Sequence, residues 1–272
     1  MTIIELTSKD NPLLKLVRLV ALQARKAPQD LVVAEGVRCV EEAIGAKCII
    51  EAVLYSQEFG VSEREAKLID TLSCQKARLY RTSDRLLKSV SDVQSPQGVL
   101  ALVHAPVIAL RDWAPVPRPL ILCACGLQDP GNLGTLIRTA AAANASLVCT
   151  TAGTVSPRNP KAIRASAGGF FRLPVIDRLD PSEFLSFCRV HSITPCLTDA
   201  RGERSYSDVD YTRGSAILLG NEGRGIINAA WADMESIRIP MAPGVESLNV
   251  ATAGALVLFE AFRQRAKAGR QG

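Results

Sequence analysis

The chain reads as an α/β protein built from two domains. Three observations carry this. Short apolar runs alternate with helical patterns through roughly the first hundred residues, a proline-rich stretch interrupts them, and beyond it two apolar runs each end in a glycine-rich turn. With 272 residues and 47% hydrophobic content there is material for two cores. No uncharged apolar run approaches the ~20 residues that span a bilayer, and Glu5, Lys9 and Asp10 break up the N-terminal apolar patch. A cytoplasmic protein without a membrane partner is expected. The eight cysteines form no CxxC pair, and only His104 and His191 could add imidazole ligands. That spacing argues against a metal site or a disulfide framework and for reduced thiols packed as small apolar residues. The net charge of +5 is mild and decides little about nucleic acid.

Residues 2–26 contain a helix start at Thr7–Asn11 before Pro12, with Leu13, Leu16, Val17 and Val20 at helical spacing. Strands are expected at Leu31–Ala34, Ile49–Tyr55, Ala77–Tyr80 and Gln97–Val103, with helices at Gly36–Gly45 and Val61–Lys76 between them. These make a smaller α/β sandwich over residues 1–105. Pro106, Pro115, Pro117 and Pro119 mark residues 106–118 as a linker. A second domain over 119–266 follows, with 267–272 as a basic tail. It opens with the strand Leu120–Cys125, a glycine-rich turn and a helix through Ala140. This succession invites a dinucleotide reading, but Gly131-x-x-Gly134 is not G-x-G-x-x-G, no acid lies between Asp129 and Asp177, and no GK[ST] is present.

From Pro130 to Ile176 the only charged residues are Arg138, Arg158, Lys161, Arg164 and Arg172. Such a run without a counter-ion points to contact with phosphate, and hence to RNA, at Arg158, Lys161 and Arg164. A strand Leu173–Ile176, a helix Pro181–His191 and a strand at Thr194–Thr198 come next. The buried strand from Ser215 ends in Gly220, Gly223 and Gly225 around Asn221 and Glu222, where glycine lets a ligand approach the backbone. Finally Ile239-Pro-Met-Ala-Pro-Gly-Val-Glu-Ser-Leu-Asn-Val250 is an irregular loop opening a long helix, capped by Ser247 or Asn249. Its unpaired backbone groups suit a small polar ligand.

Three segments together resemble the TrmH/SpoU family of RNA ribose 2′-O-methyltransferases within the SPOUT superfamily. They are Pro130–Ala140, Leu219–Gly225, and Ile239–Met241 with Ser247–Val250, in order across most of residues 119–265. The N-terminal Thr7–Leu14 and Val33–Gly36 look, more loosely, like the ribosomal-protein-like substrate-binding domain of many members. The resemblance implies a SPOUT-type α/β domain with a C-terminal deep trefoil knot, which physical reasoning alone would reject as rare, and a homodimer. It implies S-adenosylmethionine bound by Leu219, Gly220, Asn221, Ile239, Met241, Leu248 and Asn249. It credits Arg138 with activating the hydroxyl; since an arginine pKa above ~12 makes literal base catalysis difficult, Arg138 is expected to grip the RNA phosphate beside the target ribose, with Glu222 orienting Arg138 and Asn132, Ser247 and Asn249 shaping the site. The small residues Ala251–Ala255 fit close packing, expected against a partner subunit. The implied substrate is structured RNA, large-subunit ribosomal RNA ahead of tRNA. A non-catalytic RNA-binding protein of the same fold is the alternative, against which intact Arg138, Glu222 and Asn249 speak.

Overall fold

The structure, a computed structural model, describes residues 3–75, 77–220, 231 and 234–269. In chain order the first elements are β1 (Ile4–Leu6), α1 (Pro12–Ala21), β2 (Leu31–Glu35), α2 (Val37–Gly45), β3 (Ile50–Ser56), α3 (Glu63–Cys74), β4 (Arg78–Thr82), α4 (Asp84–Lys88) and β5 (Val99–His104). After them come β6 (Leu120–Ala124), α5 (Pro130–Ala142), β7 (Leu147–Thr151), α6 (Pro160–Ala165), α7 (Gly169–Arg172), β8 (Val175–Leu179) and α8 (Pro181–Val190). The last are β9 (Thr194–Thr198), β10 (Arg204–Ser205), β11 (Ser215–Leu219), β12 (Ser236–Arg238) and α9 (Val250–Ala268). Contacts divide the chain into Met1–Val107 with Arg158–Phe171, and Ile108–Pro157 with Arg172–Gly272.

The first unit holds a five-stranded sheet in the order β1-β4-β3-β5-β2, in which β5 runs antiparallel to both neighbours. Asn11 caps α1 by accepting from the Leu13 amide at 2.9 Å, Pro12 fills the first turn, and Leu14, Val17 and Val20 face inward. Ser62 and Glu65 close a capping box on α3. Strand β1 and helix α4 were not read from the sequence. Three residues of β1 carry too short a pattern to register, and only pairing with β4 makes them a strand.

Two expectations about domain limits change. Residues 158–171, read as part of the second domain, pack in the first unit, where α6 lies against β2. The expected linker is partly core: Leu110 is buried among Ile121, Cys149 and Ile176, with Ile108 and Trp113 packed on that cluster. Proline predicts where a chain cannot form regular structure; it does not predict exposure.

The second unit is a seven-stranded, wholly parallel sheet in the order β10-β12-β9-β11-β6-β7-β8. Strands β6, β7 and β11 are buried along their whole length, as strands covered on both faces must be. Cys123, Cys125, Cys149 and Cys188 belong to this core as free thiols. Burial pushes the Cys188 thiol up to about 12, so it stays protonated and unreactive. Among the described residues no helix is long and apolar enough to cross a membrane, and no group of His, Cys, Asp and Glu could hold a metal.

Helix α9 is anchored at its far end by Arg265. Its guanidinium donates to the carbonyls of Tyr211 at 2.8 Å, Arg118 at 2.6 Å, Pro119 at 3.2 Å and Arg213 at 2.6 Å. These carbonyls come from the approaches to β6 and β11, so one side chain ties the helix to two adjacent strands. Arg265→Ala is expected to destabilise the protein by about 2 kcal/mol, because the carbonyls lose their donor. Arg265→Lys should recover only part, since an ammonium lacks the planar fork. Urea unfolding measures both, and an alanine variant as stable as the parent would show that water replaces the clamp.

Candidate active site

The C-terminal ends of β9, β11 and β12 meet at one edge. Strands β6 and β11 pair in register up to Ala124 opposite Leu219, and the Cys125 amide then donates to the Leu219 carbonyl at 2.8 Å. The Thr198 hydroxyl donates to the Leu218 carbonyl at 2.9 Å. From β12 the chain runs into the loop 239–249, where Pro240 and Pro243 offer no amide and Gly244 takes a φ of 86°, open to glycine at no steric cost. This loop and the strand ends enclose a cavity of about 300 Å³. Leu219, Ile237, Leu248, Val250 and Val257 give it an apolar wall; Thr198, Asp199, Arg201, Glu246 and Ser247 give it a polar mouth. Its size and mixed lining suit a small organic ligand with an apolar ring and a charged end.

Two helix starts adjoin the cavity's rim. Asp129 caps α5 by accepting from the Asn132 amide at 2.7 Å, and a Cβ on Gly131 would come within 2.8 Å of that carboxylate oxygen. Asn249 caps α9, its Oδ1 accepting from the amides of Ala251 at 2.9 Å and Thr252 at 3.3 Å, while its Nδ2 donates to Asn132 Oδ1 at 3.1 Å. Aspartate could cap but not donate, so only an amide of this length performs both tasks. Gly254 brings the helices together: a Cβ there would lie 2.3 Å from Leu136 Cδ2 and 2.6 Å from Leu219 Cδ1. At Gly254 the small-residue stretch 251–255 therefore packs against α5 and β11 of its own chain, while Thr252 on another face of the helix is exposed.

Of the residues singled out in the sequence, Leu219, Gly220, Ile239, Met241, Ser247 and Leu248 line the one cavity, and Asn249 joins its rim to Asn132. Arg138 is exposed on α5, whose Leu133, Leu136, Ile137 and Ala140 are buried. Asn221 and Glu222 lie outside the described residues. Thr198, Asp199 and Arg201 were missed. Thr198 ends β9 and the other two follow it, and β9 lies next to β11 only through strand order in the sheet, which spacing along the chain does not carry.

The basic segment needs correction. Arg164 does have counter-ions, Glu35 at 3.1 Å and Asp92 at 2.6 Å, and its second amino group also reaches Asp92 at 3.1 Å. Arg158 donates to the carbonyls of Ala105 at 2.8 Å and Pro106 at 3.1 Å. Burial raises the Glu35 carboxyl above its ordinary range, against the pull of the Ser91 hydroxyl and the Arg164 charge. Acids more than 70 residues away supply what the local sequence lacks. Lys161 remains exposed on α6.

A parallel α/β sheet carrying this pocket and the three motifs in order makes the second unit a methyltransferase domain of the SPOUT type. The chain belongs to the SpoU rRNA Methylase family, whose model matches residues 119–259. A model of the MRM3-like substrate binding domain matches residues 11–101. The chain is 30% identical over 226 residues to the 23S rRNA (guanosine(2553)-2′-O)-methyltransferase RlmP of Bacillus subtilis, covering 83% of this chain and 86% of that one. A crystal structure of an RNA 2′-O ribose methyltransferase matches with a TM-score of 0.79 and 35% identity over 97% of this chain and 100% of the other. An AdoMet-bound rRNA methyltransferase from Sinorhizobium meliloti matches with a TM-score of 0.82 and 26% identity over 96% and 98%.

Proposed function

We propose that the protein transfers a methyl group from S-adenosylmethionine to a ribose 2′-hydroxyl of large-subunit ribosomal RNA. The observation that carries this is the convergence of Leu219, Gly220, Ile239, Met241 and Leu248, distant in sequence, on one cavity of suitable size. The cofactor, when bound, supplies a methyl already activated by its sulfonium. What the chain must add is placement of the 2′-oxygen, and proximity and orientation supply most of the acceleration. Leu219, Ile237, Leu248 and Val257 would hold the adenine ring, and main-chain groups of Gly220, Ile239 and Leu248 its polar edge.

Arg138 grips the phosphate beside the target ribose and lowers the hydroxyl's pKa through its charge; with a side-chain pKa above ~12 it does not act as the base itself. Phosphate or water takes the proton. Ser247 and the Asn132–Asn249 pair shape the mouth. Lys161 adds a phosphate contact. The deep trefoil knot and the homodimer belong to this proposal as well. The dimer is supported by Leu256, Phe259 and Phe262, which α9 exposes at 40%, 47% and 41% along one side. The cytoplasm is supported by eight free cysteines.

Saturating S-adenosylhomocysteine should raise the melting temperature by an amount set by RT ln(1 + [L]/Kd), and NAD should not. Mapping of 2′-O-methyl sites in ribosomal and transfer RNA, with and without the gene, should lose a site in large-subunit RNA. Unchanged melting with S-adenosylhomocysteine but a rise with NAD would overturn the cofactor, a lost site in tRNA alone would overturn the substrate, and sedimentation as a monomer would remove the dimer.

A further inference from the structure

We propose that Asp199 recognises the polar half of the methyl donor, its carboxylate accepting hydrogen bonds from the donor's ammonium or ribose hydroxyls. The inference rests on the methyltransferase reading above and extends it from main-chain groups to a charged side chain. Asp199 directly follows β9 and lines the cavity. Its backbone is pinned on both sides: its amide donates to the Ile237 carbonyl at 3.0 Å, and its carbonyl accepts from the Gly202 amide at 3.0 Å. The next residues are held as firmly. Arg238 donates to the carbonyls of Gly202 at 2.6 Å and Glu203 at 2.5 Å, and a Cβ on Gly202 would sit 2.7 Å from the Ile237 carbonyl carbon. Only glycine permits that approach, which presses this turn onto β12.

The side chain is equally placed. Oδ1 accepts from the Arg201 amide at 2.7 Å, a local turn that aims the carboxylate without a partner from elsewhere in the chain. The Arg201 guanidinium lies 3.7 Å from the same oxygen and its side chain is 93% exposed, so water screens it. Both contacts use Oδ1; among the described residues Oδ2 has no protein donor, and the Asp199 side chain is 35% exposed. A rigid carboxylate at the mouth of an apolar cavity costs no ordering when a guest arrives, which is where a hydrogen bond to a charge contributes most. The methyl donor presents matching groups, an ammonium, a sulfonium and a pair of ribose hydroxyls. Glu246, the other acid of the lining, is exposed on the 239–249 loop, so Asp199 is the acid that the fold orients.

Calorimetric titration of the full-length protein with S-adenosylhomocysteine and with 5′-methylthioadenosine tests this. The second ligand keeps adenine and ribose and lacks the amino-acid group. Asp199→Asn preserves the Oδ1 acceptor, and with it the turn, but removes the charge. Asp199→Ala removes both. Affinity for S-adenosylhomocysteine should fall about tenfold or more for the alanine variant and by a smaller factor for asparagine. If the ammonium is the group read, 5′-methylthioadenosine binds parent and variants alike; if the ribose hydroxyls are, it weakens in parallel. Asp199→Asn should melt with the parent when no ligand is present, which separates recognition from folding and carries the test should the alanine variant misfold. A parent that binds S-adenosylhomocysteine while the folded variants bind within about twofold of it overturns this inference alone. A parent that binds neither ligand overturns the methyltransferase reading and this inference with it.

Discussion

Single-turnover methylation at saturating RNA should slow by about 10²–10³ when Arg138 is replaced by alanine, the loss typical of one preorganised donor at a developing oxyanion. The structure separates this from a folding defect. Helix α5 buries Leu133, Leu136, Ile137 and Ala140, whereas Arg138 is exposed and makes no ion pair among the described residues. Its removal should cost well under ~1 kcal/mol of stability. Lysine retains the charge without the two-pronged geometry, so Arg138→Lys should restore part of the rate. S-adenosylhomocysteine affinity should be unchanged in both variants, because Arg138 is not part of the cavity lining. An alanine variant within about threefold of the parent lies far outside the range for such a donor and would end the catalytic role of Arg138.

Arg164→Ala should destabilise the first unit by about 3 kcal/mol, because it strands a buried carboxylate. The Glu35 side chain is 4% exposed and that of Arg164 is 26% exposed, so water cannot replace the lost partner at Glu35. Asp92, at 42%, can be rehydrated and should contribute little. Adding Glu35→Gln to the alanine variant should recover much of the loss, since a neutral amide is cheaper to bury than an unpaired charge. Urea denaturation measures both. Had Arg164 instead met RNA phosphates, its loss would leave stability unchanged and flatten the salt dependence of RNA binding; that outcome would return it to the RNA surface. The pair also bears on truncation, since removing residues 1–105 takes away both Glu35 and Asp92 and leaves 158–171 without the surface on which it packs.

Much of the fold was legible because its signals are local. Capping at Asn11, Pro130 and the Asn249 helix start are decided within one turn of chain, and the wholly apolar runs at β6 and β11 announce strands covered on both faces. The cavity was legible for a related reason: glycine after β11 and the prolines of 239–249 show where the backbone leaves regular structure near a strand end. The three-residue strand β1 was not, because pairing and not pattern makes it. Charge was read least well. The sequence showed that 130–176 contains no acid, and from that a free basic surface followed; the fold brings Glu35 and Asp92 to Arg164 across 129 and 72 positions. The same holds for Asp199, whose place at the cavity depends on β9 lying next to β11 in the sheet. By itself the sequence determined the capped helices, the wholly apolar strands and the irregular loop that lines the cavity, since these are set by neighbours along the chain. Only the tertiary structure decided which charges are paired and which acids face the cavity, because electrostatic partners are chosen by distance in space, and separation along the chain does not encode it.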